Sequence, residues 1–197
     1  QSRNSFLRNG WQNITDLEWW VKPVNPLSIL LPDRLQLLHR RLPDLPTLFP
    51  EKNNLIALAD TTAFRSWRET YRQDKNYFWF RNISGKDEIS CSLKLIHRKK
   101  LLKELIIGDV RTNSENKSFI GNSLLMLESI ARKSFSVTFL SIAFNTKEDS
   151  VLPAIIRERG FRKIEKKIYF IIKPFASPKE FSVASNWRLF RNDIDTW

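Results

Sequence analysis

The sequence is poor in the residues that build covalent cross-links and metal cages. Its 197 residues include one cysteine, Cys91, which excludes a disulfide framework. With only His39 and His97 to join it, Cys91 cannot assemble a convincing zinc site. Long apolar runs are also missing: stretches such as Ser28–Pro32 fall far short of the roughly 20 residues that a membrane-spanning helix requires. Residues 1–20 contain no uninterrupted apolar segment, so no signal peptide is expected. The only methionine is Met126 and residue 1 is Gln, which predicts a piece trimmed from a longer chain. Together these gaps predict a reduced, soluble, cytoplasmic protein without a membrane span. No internal repeat or low-complexity tract is present.

What the chain does hold is enough apolar material for a core. Hydrophobic residues make up 42% and aromatics 12%, which excludes global disorder. The length suits one large domain, or one domain with an N-terminal appendage. Lys and Arg number 33 against 21 Asp and Glu, a formal charge of +12, which raises nucleic acid or an anionic surface as a partner. The basic residues are scattered, however, with short runs only at His97–Lys100 and Arg162–Lys167. No basic stripe alternates with aromatics, so the charge reads as solvated surface and nucleic acid is the least supported partner.

Residues 1–54 carry six of the nine prolines and the cluster Trp11, Trp19 and Trp20. Proline at that density argues against long helices or central strands. A short helix fits between Pro32 and Pro43, and the region reads as an arm anchored on the main domain by core tryptophans. From residue 55 the pattern becomes regular. Asp60–Thr62 can cap a helix over Ala63–Arg72. Tyr77–Ile83 and Ile89–Ile96 flank the turn Ser84–Asp87 and predict a hairpin with one wet face. A third strand lies within Leu101–Val110. Gly121, Asn122 and Ser123 open a helix running to about Lys133, and Val137–Phe144 is apolar on both faces, as a covered central strand should be. Asp149 and Ser150 cap a helix Val151–Arg159, Gly160 stops it, and Ile164–Ile172 is a strand. This order predicts a mixed α/β sheet of about five strands.

Candidate chemistry concentrates after the third strand. A helix N-terminus presents free N–H groups and partial positive charge, so Gly121, Asn122 and Ser123 could face an anion. Glu104 on the strand could act as a general base through water, or be a strand-edge carboxylate. His97, set in a basic turn, is a poor candidate for catalysis. Asp193 and Asp195 have Asp-x-Asp spacing, which suits either a cation or a structural tail flanked by Trp187 and Trp197.

The element order over roughly residues 55–173 resembles the GNAT superfamily of N-acetyltransferases. Glu104–Val110 is similar to that family's splayed fourth strand, Asn116–Gly121 to its pyrophosphate loop, Val137–Asn145 to its next strand, and Ala154–Phe161 to its Ala…Tyr-x-x-x-Gly-Phe segment. The resemblance implies a mostly antiparallel mixed sheet flanked by helices, with an arm at 1–54, a GNAT-like domain at 55–175 and a docked tail at 176–197. It implies acetyl-CoA or another acyl-CoA as cofactor, without a metal. The strand backbone at Ile106, Ile107, Gly108, Asp109 and Val110 would hold the pantetheine arm, with Gly121, Asn122, Ser123 and Asn145 completing the site. The chain departs from the family at two places. Ile156 stands where a general-acid Tyr is usual, leaving Tyr169 as the nearest substitute, and Phe119 replaces the first loop glycine. A further likeness links Thr61–Glu69 and Asn186–Trp197 to GNAT-like modules of bacterial surface-polysaccharide proteins. The implied function is weak or degenerate acyl transfer to an amine, including one on a sugar or polysaccharide precursor. The partner would be the missing N-terminal part of a longer chain or a second GNAT-like domain. The alternatives are a non-catalytic interaction module of a polysaccharide-assembly protein and, last, a basic nucleic-acid binder.

Overall fold

The structure is a computed structural model that describes residues 3–25, 55–57, 63, 77–98, 102–148, 150–173 and 179–193. The helices expected between Pro32 and Pro43 and over residues 64–72 lie outside the described residues, as do Asp149, Asp195 and Trp197. The elements run α1 (Arg3–Arg8), β1 (Gln12–Pro23), β2 (Tyr77–Ser84), β3 (Asp87–Arg98), β4 (Leu102–Thr112), α2 (Lys117–Ser134), β5 (Phe139–Phe144), α3 (Leu152–Glu158) and β6 (Arg162–Ile172). Short 3₁₀ turns at Lys179–Ser182, Ala184–Asn186 and Arg191–Asp193 follow. The strands form one six-stranded sheet in the order β2-β3-β4-β5-β1-β6. Only the β4–β5 pair is parallel, so this is a mixed, mostly antiparallel α/β sheet.

The sixth strand comes from the region expected to be an arm. β1 lies between β5 and β6, antiparallel to both, so residues 1–54 do contain a central strand. The reason is positional. The six prolines of this region begin at Pro23, the last residue of β1, and leave Gln12–Lys22 free to pair on both sides. Side chains alternate across the strand: Trp20 joins the core on one face, Leu17 and Trp19 that on the other. Trp19 and Trp20 are thus core residues, whereas Trp11 packs edge-on against Phe6 of α1 with ring centroids 5.3 Å apart.

Helices α2 and α3 cover the first face. Ile120, Leu124, Leu127 and Ala131 of α2 and Ile155 and Ile156 of α3 pack on Leu105, Ile107, Leu140 and Ile142. Lys22 of β1 reaches Glu128 of α2 at 2.5 Å and ties that helix to the sheet. The hairpin forms as expected, closing at Gly85 with φ +60°. Its polar face is drier than expected: Ser90 and Ser92 of β3 are buried, while Tyr77, Trp79, Arg81 and Lys94 beside them are half-buried. α3 differs at its start, because Val151 occupies the cap position and no side chain accepts a hydrogen bond there. Gly160 ends the turn after α3 with φ +81°, a conformation open to residues without a Cβ.

Candidate functional site

The sheet opens at one place. β4 and β5 pair in parallel from Glu104 with Phe139 to Ile107 with Ile142, and no further. Beyond that point β4 continues along β3 to Thr112, while β5 continues along β1 to Phe144. A β-bulge coincides with the parting. Ile107 pairs with Leu93 and Asp109 with Ser92, so Gly108 is an extra residue with no opposite number. Such a bulge bends and twists the strand that carries it, here away from β5. Of the candidate residues, Gly108, Asp109 and Val110 therefore line the lip of this gap, whereas Ile106 and Ile107 are still paired with Ser141 and Ile142 of β5.

The gap is filled by the chain itself. Residues Trp187–Asp193 cross it from the end of β5 to the end of β4. On the β5 side, the Asn145 N–H donates to the Leu189 carbonyl at 2.9 Å, and Phe190 forms a bridge with Phe144, their rings stacked at 5.9 Å. On the β4 side, Arg188 donates from Nη2 to the Val110 carbonyl at 2.5 Å. Leu189 and Phe190 are buried. The Asn145 side chain holds this segment as well: Nδ2 donates to the carbonyls of Ala184 at 2.8 Å and Trp187 at 2.7 Å. Its Oδ1 accepts from the Thr15 hydroxyl at 3.1 Å and the Lys147 N–H at 3.2 Å.

Two carboxylates of β4, Glu104 and Asp109, stand beside the segment, and a third, Asp193, ends it. Glu104, 2% exposed, accepts from Arg98 Nε at 2.7 Å and from the Ser141 hydroxyl, and Arg191 lies 4.0 Å away. Asp109 accepts from the Ser92 N–H at 3.0 Å and from Arg111 Nε at 2.9 Å. Burial alone would raise the Asp109 carboxyl, but Arg111 and the Ser92 N–H outweigh it and hold the group below the ordinary aspartate value. Asp193 accepts from the Phe190 N–H at 2.8 Å, closing the last 3₁₀ turn. Burial, with the negative charge of Asp109 adding to it, pushes Asp193 up to about 6, against the pull of the Phe190 N–H, Arg111 and Arg188. Cys91, across from Val110 on β3, is also raised, first by burial and then by Asp109, which leaves the thiol protonated and unreactive.

The remaining candidate residues are placed apart from this gap or are already engaged. α2 starts at Lys117, four residues before Gly121, because the Asn116 side chain caps it by accepting from the N–H groups of Ser118 and Phe119. Gly121, Asn122 and Ser123 thus lie in the second turn, where N–H groups bond within the helix. A Cβ on Gly121 would meet the Arg159 guanidinium at 3.4 Å. Asn122 is exposed, while Ser123 is buried, donating to the Phe119 carbonyl and accepting from Asn82. Phe119 and Ile156 both belong to the core. Tyr169 sits on β6 with β5 and β1 between it and Glu104, and Arg3 stacks 4.7 Å over its ring, so these two residues are not brought together. Sequence reasoning missed Arg98, Arg111, Ser141, Arg188 and Arg191. Their only available signal was a surplus of arginine near the carboxylates' strand and in the tail. No protein-family model, no curated protein and no solved structure matches the chain.

Proposed function

We propose that this chain is a GNAT-like acyltransferase module, shaped for transfer of an acyl group from acyl-CoA to an amine, including an amine on a sugar or polysaccharide precursor, with turnover held low. One observation carries the reading: two parallel strands part after four paired residues, beside a bulge at Gly108 and ahead of a helix. In such a gap the backbone of Gly108–Val110, just past the last paired residue Ile107, would receive the pantetheine arm, and an N–H there would polarise the thioester carbonyl. The Arg159 guanidinium, whose Nε is buried without a hydrogen-bond partner, would meet the pyrophosphate near Gly121.

Several features account for low turnover. Ile156 cannot protonate a leaving thiolate, and a missing general acid typically costs about 10²–10⁴ in rate. Both oxygens of Glu104 are engaged, which keeps it from drawing a proton through water. The filled gap favours a second reading, a non-catalytic interaction module of a larger polysaccharide-assembly protein that keeps the fold for its surface. Calorimetric titration with acetyl-CoA, paired with a thiol-release assay on generic amines, separates the two. The expected result is binding with Kd of about 1 mM, worth only some 4 kcal/mol, and slow release. No heat and no release at millimolar acetyl-CoA would leave the interaction module. Robust turnover would overturn the assignment of low activity.

A further inference from the structure

The two outer strands of the sheet present different edges. β6 is guarded: Arg162, Lys163, Lys166 and Lys167 crowd its first half, and its pairing with β1 breaks register twice. Charges and bulges of this kind keep a sheet edge from accepting another strand. β2, at the opposite edge, has neither. Its eight residues hold one charge, Arg81, and no proline, and its register with β3 runs unbroken from Tyr77 with Lys94 to Ser84 with Asp87. No described strand pairs with its outer side. Ile83, near its end, is 54% exposed, more than any other large apolar residue among those described. We infer that β2 pairs antiparallel with β2 of a second copy of this chain, joining the two six-stranded sheets edge to edge.

The strand is complementary to itself about Phe80. Ser84 and Asp87 close a two-residue turn and so form a bonded pair, and bonded pairs recur at every second residue along an antiparallel ladder. Asn82, Phe80 and Phe78 therefore direct their N–H and C=O groups to β3, while Tyr77, Trp79, Arg81 and Ile83 direct theirs outward. A two-fold axis through Phe80 sets Trp79 opposite Arg81 of the second copy, and Tyr77 opposite Ile83 of the second copy. These four side chains share one face, because Phe78 and Phe80 enter the core on the other. The Arg81 guanidinium, held at Nε by Glu88 at 2.7 Å, can lay its flat face on the indole, and Tyr77 covers Ile83. Arg81 also sets the register. Sliding the pair one ladder step brings the two Arg81 side chains opposite each other, and sliding it the other way carries Ile83 past the start of the facing strand. Isologous pairing of this kind closes at two copies. It stands apart from acyl transfer, since β2 takes no part in the opening between β4 and β5.

Sedimentation velocity and amide hydrogen exchange over one concentration range test the pairing. A contact one strand wide is small, which sets the expected Kd at about 100 μM. Between about 5 and 500 μM the chain should pass from monomer to mostly dimer, and exchange at the Trp79, Arg81 and Ile83 amides should slow about threefold while Phe80 and Asn82 hold. Trp79→Lys sets a cation against Arg81 of the second copy and should stay monomeric throughout. Trp79→Glu removes the same indole but offers an ion pair, and should still associate. A wild-type chain that stays monomeric, a dimer whose outward amides exchange unchanged, or assembly beyond two copies would overturn the inference. So would equal behaviour of the two variants. Outward amides equally protected at every concentration would give the edge to a segment of the same chain and overturn it as well. Should a variant fail to fold, the concentration dependence of the wild-type amides decides the matter.

Discussion

At the scale of single residues, the buried Asn145 side chain makes four hydrogen bonds. Its amide joins β1 through Thr15, its own loop through Lys147, and the C-terminal segment through Ala184 and Trp187. Asn145→Ala would leave buried partners without hydrogen bonds, and each such loss costs about 1–3 kcal/mol. The expected destabilisation is about 3 kcal/mol in urea unfolding, with the m-value unchanged. This residue also shows where reading from sequence stops. Its position at the end of a strand followed the strand's apolar run, but its partners lie 130 residues before it and about 40 after it. Glu104 has the same history. The sequence offered it as a general base or a strand-edge carboxylate, whereas it is buried, and Ser141, 37 residues on, carries no local mark of pairing with it.

At the scale of elements, α2 shows how one capping side chain sets a boundary. Asn116 has an extended backbone and accepts from two N–H groups of the first turn, so the helix begins at Lys117 rather than at Gly121. Asn116→Ala should lower stability by about 1 kcal/mol and fray the first turn, readable as a loss of exchange protection at Phe119 and Ile120 without change at Leu127. Elements with strong local periodicity were legible: the β2–β3 hairpin, the apolar β5 and the stop at Gly160 all rest on spacing within a few residues. β1 was not. Its two-sided burial depends on β5 and β6, which lie more than a hundred residues later. The prolines that follow it obscured a stretch that itself holds none before its final residue. The dry face of β3 was hidden for a similar reason, because Ser90 and Ser92 carry a polar pattern although the fold buries them.

At the scale of the whole molecule, the positive surplus is partly answered within the sheet. Lys163 and Lys167 of β6 meet Glu18 and Asp16 of β1 at 2.6 and 3.6 Å, and Lys166 lies 4.1 Å over the Trp19 ring. The run at Arg162–Lys167 is therefore part of strand pairing rather than a separate basic stripe. Among the described residues no helix is long and apolar enough to cross a membrane. Global stability should follow the two shifted aspartates in opposite directions. Asp109, held low, supports the fold fully above the ordinary aspartate range and loses that support as pH falls. Asp193, raised, supports it fully below that range and loses that support as pH rises through about 6. Thermal melts should accordingly be highest between roughly pH 4 and 6, with Asp193→Asn gaining more at pH 7.5 than at pH 5. The placement of β1 has a consequence for the nascent chain. Its partners leave the ribosome about 130 residues after it does, which at roughly 5–20 residues per second is a wait of about 6–26 s. Throughout that interval Trp19 and Trp20 have no β5 to pair beside, so β1 is made ahead of β2 to β5 yet can be seated only once β5 appears, with β6 docking on it afterwards, and a chaperone that shields tryptophan-rich segments would meet the nascent chain at this strand.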